Sequence, residues 1–132
     1  MSALLYGPRR VVCVDEFPPY ALAAMRAAGH HVDDWTAPNI EQAFRAADVL
    51  LIAAPASNAQ QFYAGAAWAT HKLVLALVTE AGRWPFGGVV AAHAVDADDL
   101  LELLRGWDPV ARTFASERAQ SGLRYSAIGG AR

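Results

Sequence analysis

Three short apolar runs punctuate this chain, VVCV at 11–14, VLLIAA at 49–54 and LVLALV at 73–78, and none alternates with polar residues. A strand with one wet face alternates, whereas a continuous run is apolar on both faces and has to be covered on both. Sheets covered on both faces are built from parallel strands joined by helical crossovers, and those crossovers are right-handed. Few topologies satisfy both conditions.

The segments between the runs carry helical ends. Pro18 and Pro19 suit a first helical turn, where a missing N–H costs nothing, and Gly29 can take the left-handed conformation that closes a helix after Ala28. Leu22 and Met25 fall on the face expected against the sheet. A weak edge strand is expected at 31–35, where Asp33 and Asp34 suit an exposed edge. Asn39 with Gln42 and Ser57 with Gln60 have capping-box spacing, and the helices behind them place Ile40, Ala43, Phe44 and Ala47, then Ala59, Phe62, Tyr63, Ala66, Ala67 and Thr70, on their inner faces. The alanines and Gly65 are expected to let the second of these helices approach the sheet closely.

A loop at 81–88, containing Trp84-Pro85 and Gly87-Gly88, has the length of a lid or contact surface. A fifth strand at 89–92 follows, then a helix capped by Asp96 and stopped at Gly106, and a short helix within 109–118. The expected fold is an α/β three-layer sandwich of flavodoxin-like type, with a five-stranded parallel sheet in the order 2-1-3-4-5. One domain over residues 9–118 is expected, with an N-terminal extension at 1–8 and a disordered tail at 119–132.

Eleven basic and thirteen acidic side chains leave a net charge of -2, which argues against nucleic acid or an anionic membrane as a partner. Only Arg9 and Arg10 stand together among the basic residues. No run has the length of a membrane span, and the start does not read as a signal peptide. The single Cys13 lies in an apolar run, where a thiol packs as a small hydrophobe, and a reducing cytoplasm is the expected compartment. The apolar fraction, 55 %, exceeds what so small a core needs, so a homo-oligomer is expected.

In an open parallel sheet, ligands gather beyond the carboxyl ends of the strands. The candidates there are Asp15, Glu16 and Phe17 after the first strand; Pro55, Ser57 and Asn58 after the third; Thr79 and Glu80 after the fourth; and His93 after the fifth. Ser57 opens a helix whose N–H groups could receive an anion, but no glycine-rich cradle accompanies it, and the plainer reading is that Ser57 only caps its helix. Asp15 and Glu16 could form an acid/base pair, or simply be solvated. The histidines lack metal-ligand spacing, His30-His31 reading as a surface doublet, so neither a metal nor a cofactor is expected.

The stretch DVLLIAAPASNAQQFYAGAAWATHKLVLALV at 48–78 resembles the nucleoside 2-deoxyribosyltransferase family, whose members carry a strand ending in proline, a polar loop, a helix with Glu-Ala-Gly, and Gly-Lys-Pro before the next strand. Pro55, Ala64-Gly65 and Lys72 fall in that register, and the resemblance extends loosely over 9–106. It implies a nucleoside or nucleotide ligand bound by Asp15, Glu16, Phe17, Pro55, Ser57, Asn58, Tyr63 and Glu80. The family's nucleophilic glutamate is replaced by Tyr63, so N-glycosidic chemistry is expected to be lost or altered and no catalytic residue is assigned. The first-strand loop also departs from the family, leading at once into Pro18-Pro19.

A second resemblance is to receiver domains, through VVCVDE at 11–16 and Thr79. Ala53 and Ala54 stand where a receiver carries its phosphoacceptor aspartate, so this reading implies a non-catalytic interaction module. Residues 15–35 also look like the opening of a D-2-hydroxyacid dehydrogenase substrate domain, without the nucleotide-binding domain that would complete it.

Overall fold

The computed structural model describes residues 7–34, 36, 38–54, 56–78, 90–108 and 113–114. The strands are β1 (Arg10–Cys13), β2 (His31–Asp33), β3 (Val49–Ala53), β4 (Leu73–Leu77) and β5 (Ala92–Ala94), all parallel and in the order β2-β1-β3-β4-β5. Four helices, α1 (Pro19–Ala27), α2 (Ile40–Ala46), α3 (Asn58–Ala69) and α4 (Ala97–Gly106), connect or follow them. This is the expected flavodoxin-like α/β architecture, including the strand order.

The two-sided burial inferred from the apolar runs holds residue by residue. Val11, Cys13, Val49, Leu51, Leu73, Leu75 and Leu77 pack against Leu22 and Met25 of α1 and Leu100, Leu103 and Leu104 of α4. The alternate residues Val12, Val14, Leu50, Ile52, Val74 and Ala76 pack against Phe44 of α2 and Ala64 and Ala67 of α3. Each central strand thus feeds two cores, as its continuous apolar sequence requires.

Local signals set the helix ends. Asn39 accepts a hydrogen bond from the Gln42 amide, Ser57 and Gln60 bond reciprocally, and Asp96 accepts from the Asp99 amide. Gly29, at φ 101°, follows α1 in the left-handed region, and the amide of His30 returns to the Met25 carbonyl. Lys72 donates to the carbonyls of Arg45 and Ala47 at the end of α2, 2.8 Å from the latter, while lying over the Phe44 ring.

Several expectations need correction. The fifth strand occupies Ala92–Ala94 rather than 89–92, so His93 lies inside it, paired in register with Ala76. Of the segment 109–118, expected to carry a short helix, only 113–114 lies within the described residues, and there Thr113–Phe114 (β7) pairs antiparallel with Trp107–Asp108 (β6). On α3 the inner face carries Gln60, Ala64 and Ala67, whereas Phe62, Gly65 and Thr70 point outward. Alanine-rich sequence has little amphipathic contrast, so its periodicity does not fix rotation about the axis.

His30 is also no surface residue. It is 5 % exposed, and its Nδ1 accepts the backbone amide of Arg9 at 3.0 Å. The Arg9 side chain, itself buried, donates to the carbonyls of Leu104 and Trp107, tying the start of β1 to the end of α4. The loop at 81–88, the expected tail at 119–132 and residues 1–6 of the expected extension lie outside the described residues.

Candidate functional site

At the carboxyl end of β1 the chain leaves the sheet through Val14 and turns sharply at Asp15, whose φ is 64°. Aspartate is among the few residues that enter the left-handed region at modest cost, because its short polar side chain can bond locally. Here its Oδ1 accepts the Glu16 amide at 2.9 Å. Phe17 then plunges into the core beneath α1, and Pro18 and Pro19 start the helix without a side-chain cap. At the end of β2, Asp34 accepts from both the amide and the hydroxyl of Thr36.

These two strand ends enclose a cleft of about 230 Å³ lined by Asp15, Glu16, Phe17, Leu22, Asp34 and Thr36. A shallower hollow of about 430 Å³, bordered by Glu16, Phe17, Pro18 and Pro19, shares its wall with the first. The Thr36 hydroxyl bond, joined by the Thr36 amide and the Arg26 guanidinium 3.6 Å away, holds Asp34 below the usual carboxylate range against the opposing effect of burial. Asp34 is therefore an anion at neutral pH, positioned to accept hydrogen bonds or face a cation.

The strand order reverses between β1 and β3, and the crevice there is closed from within. Gln60, 3 % exposed, donates Nε2 to the carbonyls of Val14 at 3.0 Å and Glu16 at 3.2 Å. Its Oε1 accepts the Ser57 amide, while the Ser57 hydroxyl accepts the Gln60 amide. One side chain thus welds the start of α3 to the loop after β1. The cleft lies to the β2 side of the reversal point.

Of the residues expected to bind ligand, Asp15, Glu16 and Phe17 line one cleft. Ser57 is joined to that loop through Gln60, and Asn58 is exposed at the start of the same helix. Tyr63 does not line the cleft. Its ring packs edge-on against Phe44 of α2 at 5.1 Å and against Phe62 at 5.3 Å, on the flank between α2 and α3. Pro55, Thr79 and Glu80 lie outside the described residues.

Leu22, Asp34, Thr36 and Gln60 belong to the site or its frame without having been singled out for it. The Asp34–Thr36 spacing is a local turn signal that could have been found, whereas Gln60 reaches across 46 positions of sequence and could not. His93, half-buried in β5, has no hydrogen-bond partner for Nε2 among the described residues, and burial lowers its pKa. Among the described residues no three histidine, cysteine, aspartate or glutamate side chains group as metal ligands, and no helix is long and apolar enough to cross a membrane.

Comparison with protein-family models, with curated proteins and with solved structures finds no match to this chain.

Proposed function

We propose that this chain is a nucleoside-binding domain whose ligand occupies the cleft between the ends of β1 and β2. The observation that supports it is the composition of the cleft: an aromatic and an aliphatic side chain, Phe17 and Leu22, beside three acidic side chains and a hydroxyl, Asp15, Glu16, Asp34 and Thr36. The apolar pair suits the edge or face of a base, and carboxylates accept hydrogen bonds from sugar hydroxyls. The volume is below the roughly 300–1,000 Å³ of drug-sized pockets, which limits the ligand to about a nucleoside.

Within the nucleoside-or-nucleotide class, the neutral nucleoside is favoured. A phosphate would meet the Asp34 anion, and the Ser57–Gln60 box already engages the start of α3. N-glycosidic cleavage is not part of the proposal, because the position of the family's nucleophile holds Tyr63, packed on Phe44 and away from the cleft.

The test is calorimetric titration with a panel of ribo- and deoxyribonucleosides and their monophosphates, with chromatography of the same mixtures for free base. Binding of a nucleoside, weakened at least tenfold by Asp15→Asn and by Asp34→Asn, is the expected result. Absence of binding at millimolar nucleoside would overturn the proposal, and tighter binding of the monophosphate would overturn the preference for a neutral ligand. Base release by the natural protein would restore catalysis to it. The interaction-module reading draws support from exposed aromatic residues on α3; Trp84 and Phe86, its other candidate anchors, lie outside the described residues.

A further inference from the structure

α3 is the only one of the four described helices without a charged side chain: Arg26 lies on α1, Glu41 and Arg45 on α2, and Asp98, Asp99, Glu102 and Arg105 on α4. Its outward face is centred on Gly65, with Phe62 and Trp68 each three residues away, about 4.5 Å along the axis and to opposite sides. Phe62 is 71 % exposed and Trp68 55 %. A glycine in mid-helix gives up backbone entropy relative to alanine, and nothing among the described residues asks for it: a Cβ at Gly65 would meet none of their atoms within 4 Å. A glycine that its own chain does not need is accounted for when another backbone comes close.

We infer that the α3 face centred on Gly65 seats a second copy of this chain, the two helices packing antiparallel across a twofold axis at Gly65. Three properties of the face select a copy of itself as the occupant. An isologous contact sets each residue against its counterpart, and the spacing about Gly65 brings Phe62 of each copy onto Trp68 of the other. Like charges near the axis would repel, and this helix alone has none. Antiparallel packing also sets the positive N-terminal end of each helix beside the negative C-terminal end of the other.

The area is sufficient for a modest dimer. The two aromatic side chains expose on the order of 250 Å² per copy. With Asn58, Gln61 and Ala69 beside them, pairing removes roughly 1,000 Å² in total, the lower end for a specific complex. Area alone does not set affinity, and an interface at this lower end is expected to associate weakly. This inference is independent of the nucleoside proposal, since the cleft and the α3 face share no residue.

Sedimentation equilibrium of the full chain from about 5 to about 500 µM should show the mass rising from 14.1 kDa toward twice that value. Gly65→Arg, whose new side chain starts in open space, should keep the circular dichroism and urea midpoint of a folded chain while remaining monomeric throughout. Gly65→Cys should form a disulfide with its own copy on mild oxidation far faster than Glu41→Cys on exposed α2, Cys13 being buried and silent. A natural protein that stays monomeric, a dimer that survives Gly65→Arg, or equal cross-linking of the two cysteine variants would overturn the inference.

Discussion

The side-chain amide of Gln60 donates to the backbone carbonyl of Val14 at 3.0 Å, joining the first turn of α3 to the buried residue that directly follows β1. Because the same amide serves Glu16 and Ser57, its removal strands three buried or half-buried backbone groups at once. Gln60→Ala should cost about 2–4 kcal/mol, read as a lower urea midpoint at unchanged m-value. A loss under about 0.5 kcal/mol would mean that water replaces the amide freely.

The two half-orphaned histidines predict a pH dependence of stability. The Arg9 amide bond makes His30 Nδ1 an acceptor, which leaves the proton on Nε2, where no partner exists among the described residues. Burial first, and the neighbouring Arg9 second, push the His30 pKa below its ordinary 6.5, and burial does the same for His93. Below that ordinary value the unfolded chain takes up protons that the native state rejects. This contribution is complete above about pH 6.5 and is lost as pH falls toward the folded pKa values. Urea midpoints should drop from about pH 7.5 to about pH 5, and His30→Asn, which keeps an acceptor for Arg9, should flatten the slope.

Asp15 allows backbone and ligand effects to be separated. At φ 64° glycine or asparagine is accommodated, whereas a β-branched residue is strained. Asp15→Gly should leave stability within about 1 kcal/mol of the natural protein and Asp15→Val should lower it by about 1–3 kcal/mol. Both should lose nucleoside binding in calorimetry if the carboxylate contacts the ligand, and Asp15→Gly alone isolates that loss from unfolding.

Cys13 provides a probe of global opening. It is fully buried at the last position of β1, and burial pushes its thiol well above the usual range. Modification by a disulfide reagent should be at least about a thousandfold slower in the native protein than in urea, tracking unfolding across the variants above. Rapid native labelling would show that the central sheet opens locally.

Nearly all of the sheet could be read from the chain, because VVCV, VLLIA and LVLAL are apolar at every position and only a two-sided parallel sheet buries every position. Helix starts at Asn39, Ser57 and Asp96 were equally legible, since a cap and its amide partner lie three residues apart and chemistry at that range needs no tertiary context. Weaker local signals misled. The strand at His93 was displaced by the apolar pair Val89-Val90, and at 113–114, the described part of a segment expected to be helical, the chain pairs as β7 with β6 instead.

What the amino-acid order determined by itself was therefore the layered fold and its polar rim. Which rim residues meet was decided by the tertiary structure. The rotation of α3 put Tyr63 against Phe44 and turned Phe62 and Gly65 outward, because alanines pack almost equally well on any side of a helix. The closure of the β1–β3 crevice depended on Gln60 finding carbonyls of a distant loop, and the cleft arose where Asp34 and Thr36 were carried beside Asp15 by the pairing of β1 with β2. Such contacts join residues whose separation along the chain carries no periodic signal, so only the folded arrangement brings them together.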